Sequence, residues 1–198
     1  MISRPISVIF FVGLAACSSS TPAADPEPGP EPISFESFAE GQAIASEIEA
    51  ANIALGLMNP ADLLRTGTAS YQGTAEIEST AGLNAIGVAS VTVILESGSE
   101  DITGNASDFV DETDTPVPGA LAIIGGTFDR SGPAGANITA NVTGNFNGTT
   151  HVLQAQSQVS GDFYGDAEGI ILEGAVAGFV DGQATTYDIT IITEVTGD

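Results

Sequence analysis

The side chains that could carry chemistry are few in this chain of 198 residues. It has one cysteine, Cys17, one histidine, His151, and three tyrosines, and it has no lysine. A phosphate-binding loop needs a lysine, and neither a Gly-x-Ser-x-Gly elbow nor a Gly-x-Gly-x-x-Gly turn occurs. A single histidine at the start of a strand is more typical of a solvated surface residue than of a catalytic base. The sequence therefore predicts no catalytic residue, no cofactor and no enzyme activity.

A small set of side chains has the chemistry to ligate a metal ion or a haem. Oxygen ligands for calcium could come from two acidic groups: Asp108, Asp111, Glu112 and Asp114 in one loop, and Asp162, Asp166 and Glu168 in another. Neither group has the EF-hand spacing, so we expect solvated acidic loops and no metal. Axial haem ligands could come from Tyr71, Tyr164, Tyr187 and His151. Amphipathic rings packed at the surface or rim of a barrel are the expected alternative.

Residues 1–16 have the features of a targeting segment, with Arg4 followed by an apolar run too short to span a bilayer. The run ends in Leu14, Ala15, Ala16 and Cys17, which resembles the lipobox of bacterial lipoproteins. That resemblance implies cleavage between Ala16 and Cys17 and acylation of Cys17, with palmitate among the attached chains. Several acyl chains hold a protein stably at a membrane. Ser18 after the cysteine implies, by the same resemblance, sorting to the outer membrane.

Residues 17–32 are predicted to be a proline-rich tether, because Ser18–Pro32 has five prolines and few apolar residues. The chain as a whole carries 26 acidic residues against three arginines, a formal charge of −23. Such a surface repels phosphate backbones, so we expect no nucleic-acid partner.

Residues 33–64 are predicted to contain a helix that packs on the rest of the domain. Ser37 and Glu40 fit a capping box, and Asn59 with Pro60 marks the expected end. The apolar side chains recur with helical spacing and are expected to form the buried face: Ile44, Ile48, Ala51 and Leu55.

Residues 65–198 alternate apolar and polar side chains with a period of two, most clearly from Ile138 to Phe146. Seven similar runs are predicted: Gly67–Glu78, Ala85–Glu96, Ser99–Phe109, Gly119–Arg130, Thr150–Ser160, Ile170–Val180 and Thr185–Glu194. Short turns join them, and eight meandering strands close without exposed edges. The fold class is therefore predicted to be all-β: an eight-stranded antiparallel up-and-down β-barrel preceded by a short N-terminal helix and a disordered tether. Glycines within the strands are expected to permit the bends that closure requires.

The stretch from Gly161 to Gly174 is expected to connect the last sheet's strands around the aromatic pair Phe163 and Tyr164. Its aromatic pair, Gly165 and the glycine-punctuated apolar strand after it resemble the closing segment of the barrel in transferrin-binding protein B and factor H-binding protein. This resemblance implies a cell-surface lipoprotein that binds a protein or nutrient ligand, with iron or haem acquisition as one form of that role. It places no ligand-binding residue on this chain. A structural or envelope-associated lipoprotein without a soluble ligand is the alternative.

Overall fold

The computed structural model describes residues 32–96, 99–135, 137–148, 150–155 and 157–196. The predicted leader, the cleavage position at Ala16 and the acylated Cys17 lie outside the described residues. One α-helix, α1 (Phe38–Leu55), and a short 3₁₀ turn at Pro60–Asp62 precede the strands. The strands are β1 (Thr68–Ser79), β2 (Asn84–Ile94), β3 (Asp101–Asp111), β4 (Pro116–Val117), β5 (Gly119–Phe128), β6 (Ile138–Phe146), β7 (His151–Leu153), β8 (Ser157–Tyr164), β9 (Gly169–Val180) and β10 (Gln183–Val195).

The strands form one closed antiparallel barrel. Each strand pairs with its neighbours in chain order, and β10 pairs back onto β1 from Tyr71 opposite Val195 to Ser79 opposite Tyr187. Two positions of the barrel are shared by interrupted strands: β4 and β5 both pair with β3, and β7 and β8 both lie between β6 and β9. Pro118, which has no amide hydrogen to donate, separates β4 from β5. The predicted eight-stranded up-and-down barrel is confirmed.

The interior of the barrel is filled with side chains. Along β6, Ile138, Ala140 and Val142 are buried while the intervening residues are partly exposed, as the alternation predicts. They belong to one contiguous apolar cluster to which every strand of the barrel contributes. Within it, the Phe109 and Phe146 rings meet edge to face at 5.2 Å. The interior is therefore a packed core of interdigitated side chains.

Helix α1 packs on the outer wall of the barrel, as predicted, but on a different face. Its N-cap is Ser37, whose Oγ accepts from the Glu40 amide at 3.2 Å. The buried helix residues are Phe38, Gly41, Ala45, Ile48 and Asn52. The predicted face is wrong for Ala51 and Leu55, which are exposed, and only partly right for Ile44, which is half-buried.

The physical reason for the rotated face is close approach. A Cβ on Gly41 would lie 2.9 Å from the Ile86 side chain, so glycine lets the helix come near β2. Asn52 is buried because its Nδ2 donates to the Thr193 carbonyl at 3.1 Å. The hydrophobic period that predicts a buried face counts only large apolar side chains, so it identifies neither Gly41 nor Asn52. The helix also ends earlier than expected, at Leu55 with Gly56 at φ 79°, and Asn59 instead caps the 3₁₀ turn.

The chain after α1 crosses one end of the barrel, which we call the plugged end. Met58 and Leu63 join the interior cluster there, and the Met58 amide donates to the Phe163 carbonyl at 2.9 Å. Arg130 fixes the crossing segment, since its Nη1 donates to the Leu63 carbonyl at 2.6 Å and its Nη2 pairs with Glu100 at 2.7 Å.

The connection predicted from Gly161 to Gly174 is shorter than expected. β8 continues to Tyr164 and β9 begins at Gly169, so only residues 165–168 form the turn. Phe163 points into the interior cluster, whereas Tyr164 packs outside with the helix. The strand predicted to end at Ser160 therefore continues for four more residues, because glycine at 161 leaves the alternation of the neighbouring side chains intact.

Candidate functional site

The other end of the barrel, which we call the open end, carries the β1–β2, β3–β4, β6–β7 and β9–β10 turns. A concave site of about 240 Å³ lies among these turns. The residues that line it are Gly82, Leu83, Asn84, Asp111, Glu112, Thr113, Val117, Asn147 and His151. Residues from four separate chain segments therefore meet there, and barrel closure is what brings them together.

His151 is buried, with 8% of its surface exposed, so the expectation of a solvated surface histidine is wrong. Its Nδ1 lies 3.2 Å from the hydroxyl oxygen of Tyr187, and that hydroxyl lies 3.0 Å from the Phe179 carbonyl. A carbonyl only accepts, so Tyr187 donates its single hydrogen to Phe179. With that hydrogen engaged, the hydroxyl oxygen can accept from Nδ1 in the tautomer that carries the ring hydrogen there. Barrel closure, which the local sequence does not encode, buries the ring against Tyr187.

The charge state of His151 follows from its surroundings. Burial lowers its pKa below the ordinary value of 6.5, and the negative charge of Asp181 opposes this only in part. The ring is therefore neutral at pH 7. His151 is one of the residues that line the open-end site.

Asn84, another lining residue, is only partly satisfied. Its Nδ2 donates to Glu112 Oε1 at 2.7 Å. Its Oδ1 is fully buried and, among the described residues, is the one buried side-chain nitrogen or oxygen without a hydrogen-bond partner. An unsatisfied buried acceptor costs about 1–3 kcal/mol. Sequence reasoning missed Asn84, and its position two residues after Gly82 at a turn gives no signal of this role.

Two carboxylates make the site negative. Asp111 Oδ1 accepts from the Thr113 hydroxyl at 2.7 Å and from the Thr113 and Thr115 amides at 2.8 and 3.0 Å. These hydrogen bonds, with the Thr113 hydroxyl foremost, lower the pKa of Asp111. Glu112 is held by Asn84. Neither arginine of the described chain lines this site, and Arg130 lies at the plugged end.

The other predicted acidic ligands are dispersed. Asp108 is not in a loop with its neighbours: it lies within β3 at a register shift, with φ 56°. Asp114 accepts from the Phe38 amide at 2.9 Å at the start of α1, and Asp162 accepts from the amides of Gly135 and Asn137. Within the described ranges, no three His, Cys, Asp or Glu side chains form a group that could hold a metal ion.

The candidate haem ligands are also separated. Tyr71 and Tyr187 are fully buried, so the expectation that they pack at the surface is wrong for both. Tyr71 donates to the Ala167 carbonyl at 2.9 Å near the plugged end, whereas Tyr187 contacts His151 at the open end. Tyr164 is half-buried against the helix on the outer wall. Only Tyr187 and His151 come together.

Comparison with protein-family models, with curated protein sequences and with solved structures found no match for this chain. Within the described residues, no helix combines the length and the apolar character needed to cross a membrane.

A second, larger concavity lies on the outer wall across β8, β9 and β10. It has a volume of about 570 Å³, and Asp162, Glu173 and Asp188 are among its lining residues. It is wide and shallow, and Asp162 is engaged by the β5–β6 loop through Gly135 and Asn137. The open-end site is smaller, but it brings together the histidine and two carboxylates from separate turns, and we take it as the candidate site.

Proposed function

We propose that this chain is an outer-membrane lipoprotein, anchored by acyl chains on Cys17, whose β-barrel is displayed at the cell surface and binds a protein or nutrient ligand. The lipobox-like residues before Cys17 and the proline-rich stretch after it support the anchor. The observation that carries the binding role is the open-end site, a concavity where side chains from four chain segments meet, among them His151 and the carboxylates of Asp111 and Glu112.

The point at which the tether meets the barrel agrees with this role. The described chain begins beside the plugged-end half of the barrel, where Pro32 and Ile33 line a hollow together with Ala51 and Glu194. The Ile33 amide also donates to Gln72 Oε1 at 3.4 Å. The tether therefore joins the barrel on the plugged-end side. A lipid anchor on that tether would therefore be attached on the side of the barrel away from the open end.

The packed interior narrows the type of ligand. Because side chains fill the barrel, a ligand is recognised at an end or on the wall rather than enclosed as in a lipocalin. Surface recognition of this kind is what the resemblance to transferrin-binding protein B and factor H-binding protein implies. Iron or haem acquisition belongs to the same proposal.

One observation favours a second candidate, an envelope-associated lipoprotein without a soluble ligand. Four large aliphatic side chains are exposed at or beside the plugged end: Ile53, Leu55, Leu57 and Leu64. Apolar surface close to the tether suits contact with the envelope more than contact with a soluble ligand.

Protease shaving of intact cells tests the proposal. Cells producing the full chain with a C-terminal tag are treated with proteinase K, beside a periplasmic marker protein and a Cys17→Ala variant. We expect the tagged barrel to be lost from intact cells and the marker to remain. The Cys17→Ala variant should lose its membrane association, because its acylated residue is gone.

Ligand capture completes the test. Intact cells are incubated with growth medium, and the proteins and small molecules retained by the tagged barrel are identified by mass spectrometry. Retention that is lost with the Cys17→Ala variant supports the surface-receptor role. Protection of the barrel until the outer membrane is opened refutes it and leaves the envelope-associated lipoprotein.

A further inference from the structure

The exposed apolar side chains of this protein are concentrated at one end of the barrel. Of the seven large apolar side chains that are exposed in the described residues, two lie on the barrel wall, on β5 and β9. Single exposed apolar residues are normal on a protein surface, whereas a cluster of them marks a contact surface. The other five lie at or beside the plugged end, and we call them the plugged-end patch: Ile53, Leu55, Leu57, Leu64 and Val195.

The turn between β8 and β9, residues 165–168, brings three members of the patch together. A Cβ on Gly165 would lie 3.3 Å from Leu55 Cδ1, so Leu55 covers the start of this turn. The residue before Leu57 accepts from the Gly165 amide at 2.9 Å through its carbonyl. At the other side of the turn, the Val195 amide donates to the last carbonyl of the turn at 2.7 Å. Leu55, Leu57 and Val195 therefore surround one turn.

The segment that crosses the plugged end, residues 57–66, has one apolar face turned into the barrel and one turned outward. Met58 and Leu63 are buried and join the interior cluster. Leu57 and Leu64, which flank them, are 49% and 67% exposed. Removal of apolar side chains from water is favourable, so an apolar surface that meets the plugged end is stabilised there.

The tether decides which apolar surface is within reach. Pro32 and Ile33 line the hollow beside α1, and residues 18–31 join them to Cys17. The 15 steps from residue 17 to residue 32, at most about 3.5 Å each, keep Pro32 within about 50 Å of the acylated residue. A short linker gives its two ends an effective concentration on the order of mM. The lipid surface is therefore held near the patch, whereas a second copy or another partner must be supplied from solution.

We propose that the plugged-end patch rests on the lipid surface that anchors Cys17, with Leu57 and Leu64 inserted among the lipid headgroups and the open end turned away. The proposal rests on the lipid anchor, which both candidate functions share. Apolar faces that lie on a membrane enter it by about 5–10 Å. Insertion to that depth would cover the crossing segment and fix the orientation of the barrel, which the tether alone leaves open.

The charges around the patch select the kind of lipid surface. Asp62 in the crossing segment and Asp166 and Glu168 in the β8–β9 turn are exposed. Arg65, also exposed, is the one basic residue of the crossing segment. The rim of the patch is therefore negative, so anionic headgroups repel it and zwitterionic headgroups do not.

Single labels at the two ends of the barrel test the contact. Cys17 is the one cysteine and its thiol is consumed by acylation, so Thr66→Cys or Gln183→Cys supplies a single free thiol. Thr66 is exposed beside the patch, and Gln183 is exposed beside the β9–β10 turn at the open end. The mature full chain, labelled with bimane, is placed at one chain per disc in phosphatidylcholine nanodiscs that contain headgroup-nitroxide lipid. We expect the nitroxide to quench the label at residue 66 about threefold more than the label at residue 183.

A matched pair of double variants assigns the contact to the patch. Leu57→Ser with Leu64→Ser should lower the quenching at residue 66 to the level at residue 183, although the tether is unchanged. Ile124→Ser with Phe179→Ser removes the two exposed apolar side chains of the barrel wall and should change the quenching by less than about 1.2-fold. Phosphatidylglycerol discs should give weaker quenching at residue 66 than phosphatidylcholine discs. Because each disc holds one chain, association of two copies cannot produce these results.

The inference is overturned if the two labels are quenched equally, if the Leu57 and Leu64 double variant changes nothing, or if phosphatidylglycerol raises the quenching. A second arm makes the test independent of natural acylation. There the Cys17→Ala chain is ligated at its N-terminus to a synthetic palmitoylated peptide. Unequal quenching in this arm, with no acyl chain found on Cys17 by intact mass, refutes the natural anchor alone. Equal quenching of a chain that is acylated refutes the lipid contact alone.

Discussion

Docking of α1 on the barrel can be measured with two identical substitutions in one helix. Ile48 is 5% exposed and packs among Ile86, Ile171 and Ile192 of the barrel wall, whereas Ile53 is 60% exposed. Ile→Ala removes three carbon groups, worth about 0.8 kcal/mol each when buried, so Ile48→Ala loses about 2.4 kcal/mol before any cavity cost. With a cavity cost, we expect a total of about 2.5–4 kcal/mol of unfolding free energy.

The matched variant Ile53→Ala should change the free energy of unfolding by less than about 0.5 kcal/mol, because most of the side chain already contacts water. The gain in helix propensity is the same in both variants and cancels in the comparison. Leu55→Ala distinguishes the helix face predicted from the hydrophobic period from the face that is buried in the structure. The face predicted from the hydrophobic period would make it as costly as Ile48→Ala, but Leu55 is 48% exposed and the loss should be small.

Urea unfolding is followed by far-ultraviolet circular dichroism and by tyrosine fluorescence, since the chain has no tryptophan. Tyr164 packs with the helix cluster, while Tyr71 and Tyr187 lie inside the barrel. Equal losses for Ile48→Ala and Ile53→Ala would refute this docking geometry. So would a loss for Leu55→Ala as large as that for Ile48→Ala.

Three further predictions follow from the strands and their titratable groups. A Cβ on Gly73 would overlap the Ile192 carbonyl oxygen and lie 2.7 Å from Thr193 Cα. In urea unfolding, Gly73→Ala should therefore destabilise the barrel by about 2 kcal/mol or more. Gly174→Ala should cost less, because the nearest atom to its Cβ would be 3.1 Å away. Burial raises the pKa of Tyr71 to about 12. The stability that the neutral Tyr71 ring contributes is complete below pH 10 and is lost as pH rises toward 12. A spectroscopic titration near 295 nm that finds no tyrosine ionising above pH 11 would contradict the raised pKa. Because burial lowers the pKa of His151, the stability that the neutral ring contributes is complete above about pH 6.5 and is lost as pH falls through the lowered pKa. His151→Gln should therefore flatten the dependence of the unfolding free energy on pH between pH 5 and 7. An unchanged slope there would show that the ring is not buried in its neutral form.

The alternation of the strands predicted the barrel well because it is a local signal with a nonlocal consequence. In β6, Ile138, Ala140 and Val142 point inward as their period of two requires, and the interior is the one apolar environment that eight such strands can share. The closure between β1 and β10 then follows from the need to remove free edges.

The predictions of the buried helix face and of a solvated His151 were wrong for a common reason: both depend on which part of the protein packs opposite the residue. Gly41 and Asn52 look like poor core residues in a helical pattern, but a close wall at Ile86 and a carbonyl at Thr193 make them the right ones. His151 begins a three-residue strand, and only closure of the barrel puts Tyr187 against its ring. The hydrophobic period of a segment does not say which residues of other segments will pack against it.

The two ends of the barrel differ in how their acceptors are satisfied. At the plugged end, Arg130 donates to Leu63 and Glu100, and Tyr71 donates to Ala167. At the open end, the described lining residues include no lysine or arginine, and Asn84 Oδ1 stays buried without a donor. A chain with three arginines and no lysine has few internal cations to supply. Since Asn84 Oδ1 has no accessible surface, its cost of about 1–3 kcal/mol falls on the stability of the fold, and a donor that stays in the solvent cannot offset it.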